Sequence, residues 1–410
     1  MQPKVLLLCA NHNDLGVIWS LRRLGYYIIV SGNLAGQIGE KFADQYIACD
    51  YSDQEKMLAI ARREKVSAVF PCCNDYGVYT AAYIAEKMGF TGYDSCETTR
   101  LLHNKDRFKA FAVENGLSVV KSYGFSDPAA ALEYCRTAVY PQIVKPIDAF
   151  GGRGISKLES FQDAETAIAR AFDQSREKRI VIERYIRGTQ HGFCSFLRDR
   201  KVIAFCSNNE YSIQDAYRVE IDTWPADHQD ELSPILIGQI EKIADLLQLK
   251  DGIFHLQYIL ENGKPYIIEV MRRILGNMYG IPAEMVSGFN FDYWETRALC
   301  GLSCADAPTA MRSEGHFAYK MLLAPRNGVI RNIQVPKGYE KYVWRQFLIK
   351  QPGEEITHFK TEPVGFYFLM FSNPAEMKRV LIDEYNDSCV CMEPEGPAEP
   401  CRETSALHRK

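Results

Sequence analysis

Three stretches of this sequence hold residue types whose spacing suits phosphate and metal chemistry. The first is Ile143-Val144-Lys145-Pro146, followed by Gly151-Gly152-Arg153-Gly154. A lysine leaving a buried strand just before a glycine-rich turn suits a polyphosphate. Backbone N–H groups of the turn surround phosphate oxygens, and the ammonium supplies the opposing charge. An ordinary hairpin shows the same glycine pattern. The second stretch, Val181-Ile182-Glu183-Arg184-Tyr185-Ile186-Arg187-Gly188, reads as a strand entering a short linker. It can offer backbone donors and acceptors and apolar side chains to an adenine ring, or serve as an edge strand with charged tips. The third is a strand pair, His255-Leu256-Gln257-Tyr258 and Tyr266-Ile267-Ile268-Glu269-Val270-Met271. Glu269 lies in an apolar run, where a carboxylate is costly unless it is paired or holds a cation.

The turn between those strands decides whether the third stretch works as a unit. A two-residue Asn262-Gly263 turn pairs Glu261 with Lys264 and sends Gln257 and Glu269 to opposite faces. A three-residue turn, Glu261–Gly263, places His255 opposite Glu269 and Gln257 opposite Ile267, all on one face. Only the three-residue register can build a joint metal site.

The elements that must position these residues alternate early and then change character. Lys4–Cys9, Tyr26–Ser31, Tyr46–Cys49 and Val66–Phe70 read as strands. Asp14–Leu24, Gln54–Arg63 and Asp75–Met88 read as helices, two of them ended by Gly25 and Gly89. This alternation predicts a parallel sheet covered on both faces. The first turn, Ala10-Asn11-His12-Asn13-Asp14-Leu15-Gly16, lacks the GxGxxG spacing of a dinucleotide site. Further on, Lys105–Asn115 reads as a helix. Gln142–Lys145, Ile155–Leu158 and Arg179–Tyr185 read as strands, with Phe161–Ser175 as a helix among them. His191–Arg198 and Lys201–Ser207 pair around Asp199-Arg200, a long irregular segment separates Asn208 from Leu232, and Leu232–Leu247 has helical periodicity. From about Gly315 a β-rich pattern returns, closed by a helix at Ala375–Glu384. The stretch after Tyr385, rich in Pro and Glu, reads as a disordered tail.

The chain has 410 residues, of which 47% are hydrophobic and 24% charged, with a net charge of −4. This is a globular composition, and the lack of a basic excess argues against nucleic-acid or acidic-membrane partners. No stretch approaches the roughly 18 apolar residues of a membrane span. The 13 cysteines are odd in number, and several lie in apolar runs, including Cys9, Cys49, Cys194 and Cys206. They read as reduced thiols of a cytoplasmic protein rather than as a disulfide framework or metal site.

The ordered set Lys105, Lys145-Pro146, Gly151–Gly154, Glu183–Gly188, Gln257 … Glu269 and Arg273 resembles the ATP-grasp ligases, over roughly residues 1 to 385. It is similar both to their carboxylate–amine ligases and to biotin-carboxylase-like members. The resemblance implies an α/β fold, α+β in part, with these divisions: a parallel-sheet pre-ATP-grasp domain at 1–100; an ATP-grasp domain at 101–310, with a nucleotide subdomain at 115–188 and a metal region at 189–310; a small β-rich C-terminal lobe at 311–385; and the tail at 386–410. It implies ATP and Mg²⁺, with Mn²⁺ as an alternative ion. Lys105 and Lys145 would hold phosphates under the Gly151, Gly152 and Gly154 loop, and Lys145 and Arg273 would stabilise the transferring phosphoryl group. Glu183, Tyr185 and Ile186 would meet adenine, and Gln190 the ribose. Glu269 and Gln257 would hold the metal, while Arg272, Asn277 and Arg218 would face substrate. The reaction implied is ADP-forming: a small-molecule carboxylate becomes an acylphosphate and is coupled to an amine. A homodimer is the base expectation for a soluble oligomer. Other readings on the same resemblance are a biotin-carboxylase or formyl-transfer reaction and a nucleotide-binding regulatory protein. Two departures stand out. Gln257 replaces an acid, and Met271 replaces an oxygen ligand with a thioether, a poor ligand for a hard cation.

Overall fold

The computed structural model describes residues 2–149, 151–309 and 315–394. The first sheet is parallel, in the order Gln45–Ala48, Tyr27–Gly32, Lys4–Leu8, Ala68–Phe70. Alternation along its central strand explains the two covered faces. Val5 and Leu7 join the core built with helix Leu15–Arg23, whereas Leu6 and Leu8 join the core built with helices Gln54–Glu64 and Asp75–Met88. All four side chains are fully buried, each contributing on the order of 2 kcal/mol of hydrophobic stabilisation. Asn74 caps Asp75–Met88 by accepting from the N–H groups of Tyr76 and Gly77, and Gly89 ends it in the left-handed conformation.

A four-stranded sheet follows, in the order Ser122–Phe125, Ile180–Arg184, Gln142–Pro146, Ser156–Leu158. Helices Pro128–Thr137 and Ala164–Gln174 pack on it through Ala131, Cys135, Ala167, Ile168 and Ala171.

The largest sheet is antiparallel and eight-stranded. Its order is Lys264–Met271, Gly252–Glu261, Thr189–Arg198, Lys201–Tyr211, Ile221–Trp224, His316–Leu323, Pro363–Phe371, Val343–Leu348. One face packs on helix Gln229–Leu247 through Phe193, Phe254, Leu256 and Val270. The other face meets the N-terminal domain across helices Gly280–Ser287 and Phe291–Leu299, with Phe196, Phe289, Phe291 and Trp294 at the centre. After residue 315, His316–Leu323, Pro363–Phe371 and Val343–Leu348 extend the central sheet, while Gly328–Ile333 pairs with Glu355–Ile356 and Val390–Met392 in a separate three-stranded sheet.

Some sequence readings need correction. The segment read as irregular after Asn208 contains a strand pairing: Lys201–Tyr211 runs on past Asn208 and pairs with Ile221–Trp224, and the following helix starts early, at Gln229. Helices Cys96–His103, Pro128–Thr137, Gly280–Ser287 and Phe291–Leu299 were not anticipated. The tail read as disordered from residue 386 begins with ordered chain. Val390–Met392 pairs with Gly328–Ile333, and Cys389, Val390 and Met392 are buried in the C-terminal core. The downstream Pro and Glu residues obscured that short apolar alternation. Residues 395–410 lie outside the described residues. Among the described residues, twelve cysteines are free, and no helix is long and apolar enough to cross a membrane.

Candidate functional site

The hairpin turn has two residues, as in the first register: Glu261 pairs with Lys264, and Asn262 and Gly263 both have positive φ. Yet Gln257 lies directly opposite Glu269, because the pairing skips from Tyr258↔Ile267 to Gln257↔Glu269. Ile268 is the extra residue of a β-bulge, which moves Glu269 to the face of Gln257. The expectation that a joint site requires a three-residue turn is thus corrected. The bulge coincides with outside partners for Ile267: its N–H donates to Ser118 O at 2.7 Å, and its carbonyl accepts from Lys109 Nζ at 3.0 Å.

Helix Lys105–Glu114 presents two lysines one turn apart on one face. Lys105 Nζ lies 2.8 Å from Glu269 Oε1 and donates to Ala149 O at 3.0 Å. Lys109 Nζ lies 3.2 Å from Glu183 Oε2, and Lys145 Nζ lies 2.6 Å from Glu183 Oε1. Glu183 and Lys109 are each 1% exposed. Burial pushes Glu183 up, but the two ammoniums outweigh it and hold the carboxyl below its ordinary value. Burial pushes Lys109 down to about 8, with Glu183 opposing and Lys145 adding to the effect. The cluster of two lysines and one glutamate therefore carries an excess positive charge beside the glycine turn, which suits a phosphate chain. Glu183, expected against adenine, is the counter-ion of this cluster.

The turn itself needs its glycines. Gly151, Gly152 and Gly154 have φ of +63°, +77° and +73°. A Cβ on Gly152 would lie 2.5 Å from Tyr217 O. The Tyr185 N–H is committed to Pro141 O at 3.1 Å, and Ile186 is buried. Any backbone contact to a base thus falls to the Tyr185 carbonyl and the Ile186 amide. Gln190, expected at the ribose, donates to Glu210 Oε2 at 2.6 Å.

The two arginines after strand Lys264–Met271 diverge. The Arg273 guanidinium reaches Asp75 Oδ1 from Nε at 2.7 Å and from Nη2 at 2.6 Å, and Nη1 donates to Ile274 O at 2.7 Å. Burial opposes its charge, but Asp75 outweighs burial and holds its proton more tightly than usual. Arg272 is corrected as a substrate residue. Its three nitrogens are spent on Asp94 Oδ2 at 2.8 Å, Ile253 O at 2.6 Å and Lys250 O at 2.7 Å, a structural staple between the sheet and the N-terminal domain. Arg218 donates to Lys360 O and to Met321 Sδ. Asn277 Nδ2 donates to Tyr319 OH at 2.7 Å.

Lys109, Asp75, Glu210 and Asp222 escaped sequence reading. Lys109 had a signal, its spacing of four from Lys105 on one helix. Glu210 and Asp222 are paired across neighbouring strands, and no local pattern marks them. Burial pushes both up, Glu210 against donors from Gln257 and Gln190, and Asp222 well up with Glu210 adding to it. Among the described residues, no three His, Cys, Asp or Glu side chains gather as a metal cluster. The oxygen donors Glu269 and Gln257, directly paired, nevertheless fit the chemistry of a hard cation.

Residues 104–303 match the family model described as the carbamoyl-phosphate synthase L chain, ATP binding domain. The formate-dependent phosphoribosylglycinamide formyltransferase of Methanocaldococcus jannaschii is 31% identical over 191 residues, covering 45% of this chain and 48% of that one. A crystal structure of an L-amino acid ligase from Bacillus licheniformis matches with a TM-score of 0.79 at 17% identity, over 96% of this chain and 99% of that one. The biotin carboxylase domain of the Hydrogenobacter thermophilus 2-oxoglutarate carboxylase, a dimer with MgADP, ADP and bicarbonate, matches with a TM-score of 0.75 at 20% identity, over 95% and 92%. The chain spans about half or less of the length of the first curated relatives it matches.

Proposed function

We propose, from the premise that this chain belongs to the ATP-grasp superfamily and has its fold, that it is an ADP-forming ligase. It would convert a small-molecule carboxylate to an acylphosphate and couple it to an amine of amino-acid type. The observation that carries this reading is the convergence of Lys105 on Glu269 and of Lys145 and Lys109 on Glu183 beside the glycine turn. Phosphate-holding cations and a metal-holding acid, far apart in sequence, thereby meet across two sheets.

The chain's own residues would act as follows. Lys105 and Lys145 hold the phosphates of ATP, and the Gly151–Gly154 turn offers N–H groups over them. A carboxylate oxygen attacks the γ-phosphorus, ADP leaves, and the amine then displaces phosphate from the acyl carbon. Arg273, fixed by Asp75, would stabilise charge on the transferring phosphoryl group. Glu269 and Gln257 would hold Mg²⁺, which when bound neutralises charge on the phosphates. Closure of the glycine turn would keep water from the acylphosphate.

The similarity to a formate-dependent formyltransferase and an L-amino acid ligase sets the substrate panel: formate and other small acids, and amino acids as both acid and amine. Full-length protein with ATP and Mg²⁺ should release ADP and phosphate with a particular acid–amine pool, and Glu269→Gln should abolish that release. ATP binding without turnover in every pool would favour the regulatory reading, which Gln257 and Met271 support. The biotin carboxylase relative is a dimer, and a homodimer is the expected state by size-exclusion chromatography with light scattering.

A further inference from the structure

We propose that Glu210 supplies the second carboxylate of the metal site, in place of the acid that position 257 lacks. The inference rests on the ATP-grasp reading for the identity of the cation, and otherwise on the geometry of the central sheet.

The strand register places the relevant residues on one face. Glu269 lies opposite Gln257, Gln257 opposite Gly192, and Glu210 opposite Gln190, two residues along from Gly192. Side chains two apart on a strand share a face. Glu210 would be separated from Gln257 by any side chain at position 192. Gly192 has none, and a Cβ there would lie 2.5 Å from Asn208 Oδ1 and 3.0 Å from Glu210 Oε1. Through this gap the Glu210 carboxylate reaches Gln257, whose Nε2 donates to Oε1 at 3.0 Å and to Oε2 at 2.9 Å. A carboxylate is thus carried to within one hydrogen bond of the position where an acid is missing.

The local charge supports a cation. The donors Glu210 receives are amides, from Gln257 and from Gln190 at 2.6 Å. Asp222 faces Glu210 from the next strand. One oxygen of buried Asp222 has no hydrogen-bond partner, while Tyr319, which accepts from Asn277, stands on the far side of Asp222 in the sheet. Glu269 has Lys105 beside it, whereas the donors on Glu210 are uncharged amides, so a bound cation would be the charged partner of the Glu210 carboxylate. A hard divalent ion takes charged oxygens. Gln257 keeps its carbonyl oxygen as an uncharged donor between the two glutamates.

The test is Mn²⁺ titration of the full chain with a non-hydrolysable ATP analogue, followed by the electron paramagnetic resonance signal of free Mn²⁺. Glu210→Gln is expected to weaken Mn²⁺ binding by about tenfold or more, with metal-free ADP binding retained as the control for folding. The swap Gln257→Glu with Glu210→Gln should recover most of the affinity. Wild-type affinity in Glu210→Gln would overturn the proposal, and so would a swap no better than the single variant. A raised KM for the amine with unchanged Mn²⁺ affinity would reassign Glu210 to ammonium binding. Failure of the wild type to bind Mn²⁺ with nucleotide would remove both this proposal and the ligase reading. Metal binding as expected, with no turnover in any acid–amine pool, would remove the ligase reading alone.

Discussion

Glu183→Gln tests whether Glu183 serves as a counter-ion, and its magnitude follows from the site. Glu183 stands between Lys145 at 2.6 Å and Lys109 at 3.2 Å. Two losses result. Lys145 loses a charge-assisted hydrogen bond, worth roughly 1.5–3 kcal/mol. Lys109, already held down to about 8, loses the group that kept it charged and gives up its proton. At pH 7 that deprotonation costs about one pKa unit, roughly 1.4 kcal/mol. The sum, roughly 3–4 kcal/mol, agrees with the 3–5 kcal/mol typical of breaking a buried pair. The two losses depend differently on pH. The folded value of Lys109 lies below the ordinary 10.5, so wild-type Lys109 is itself mostly neutral by pH 9, and its share of the deficit vanishes. Urea unfolding at pH 7 and pH 9 should therefore show a deficit that narrows by about 1 kcal/mol. ATP, which brings phosphate charge to the lysines, should raise the melting temperature of Glu183→Gln more than that of the wild type. Lys109→Met added to Glu183→Gln should recover stability. A Glu183→Gln protein as stable as wild type at pH 7, or a deficit independent of pH, would refute the counter-ion argument.

Gly152→Ala should weaken ADP binding in calorimetry more than Gly151→Ala. Both carry the left-handed backbone cost of about 1–2 kcal/mol, but a new Cβ at 152 also meets Tyr217 O at 2.5 Å, while one at 151 meets nothing within 4 Å. Arg272→Ala should lower stability by roughly 3–5 kcal/mol, because it leaves Asp94 buried without its partner; ADP affinity of the folded protein should stay unchanged, which a binding titration checks. His103 and His255 are each pushed down to about 3, by burial first and then by Arg273. Their unfolded value is near 6.5, so the unfolded chain binds the extra proton between these limits. The stability from keeping each ring neutral is full above pH 6.5 and falls as pH drops toward 3, by up to about 4–5 kcal/mol per ring; His255→Gln should make the acid limb of a stability–pH curve shallower.

Much of this architecture is visible along the chain because burial imposes a period. The run Val5-Leu6-Leu7-Leu8 divides its side chains between two cores, as a strand covered on both faces must. The glycine turn was legible because a positive φ demands particular residue types. What stayed hidden depends on pairing between distant segments. Arg272 and Arg273 are adjacent in sequence, yet one staples backbone carbonyls and the other meets Asp75, and composition does not separate them. Glu210 becomes part of the site through the absence of a side chain at Gly192 on a neighbouring strand.

The bulge at Ile268 shows why such features escape a pattern reading. A period of two assigns faces only while the ladder is regular, and one extra residue reverses every later assignment. Ile267 and Ile268 are both apolar, so neither marks where the count changes. The mark lies elsewhere, in Lys109 and Ser118, which take the Ile267 carbonyl and N–H. The same lysine that pairs with Glu183 thus also bonds the bulge that turns Glu269 toward Gln257. If the proposed function holds, phosphate and metal binding would be coupled through one buried ammonium, and Lys109→Met should weaken both, the first through charge and the second through register. A Lys109→Met protein that loses ADP affinity while keeping wild-type Mn²⁺ affinity would show that Ser118 and the sheet hold the bulge without it.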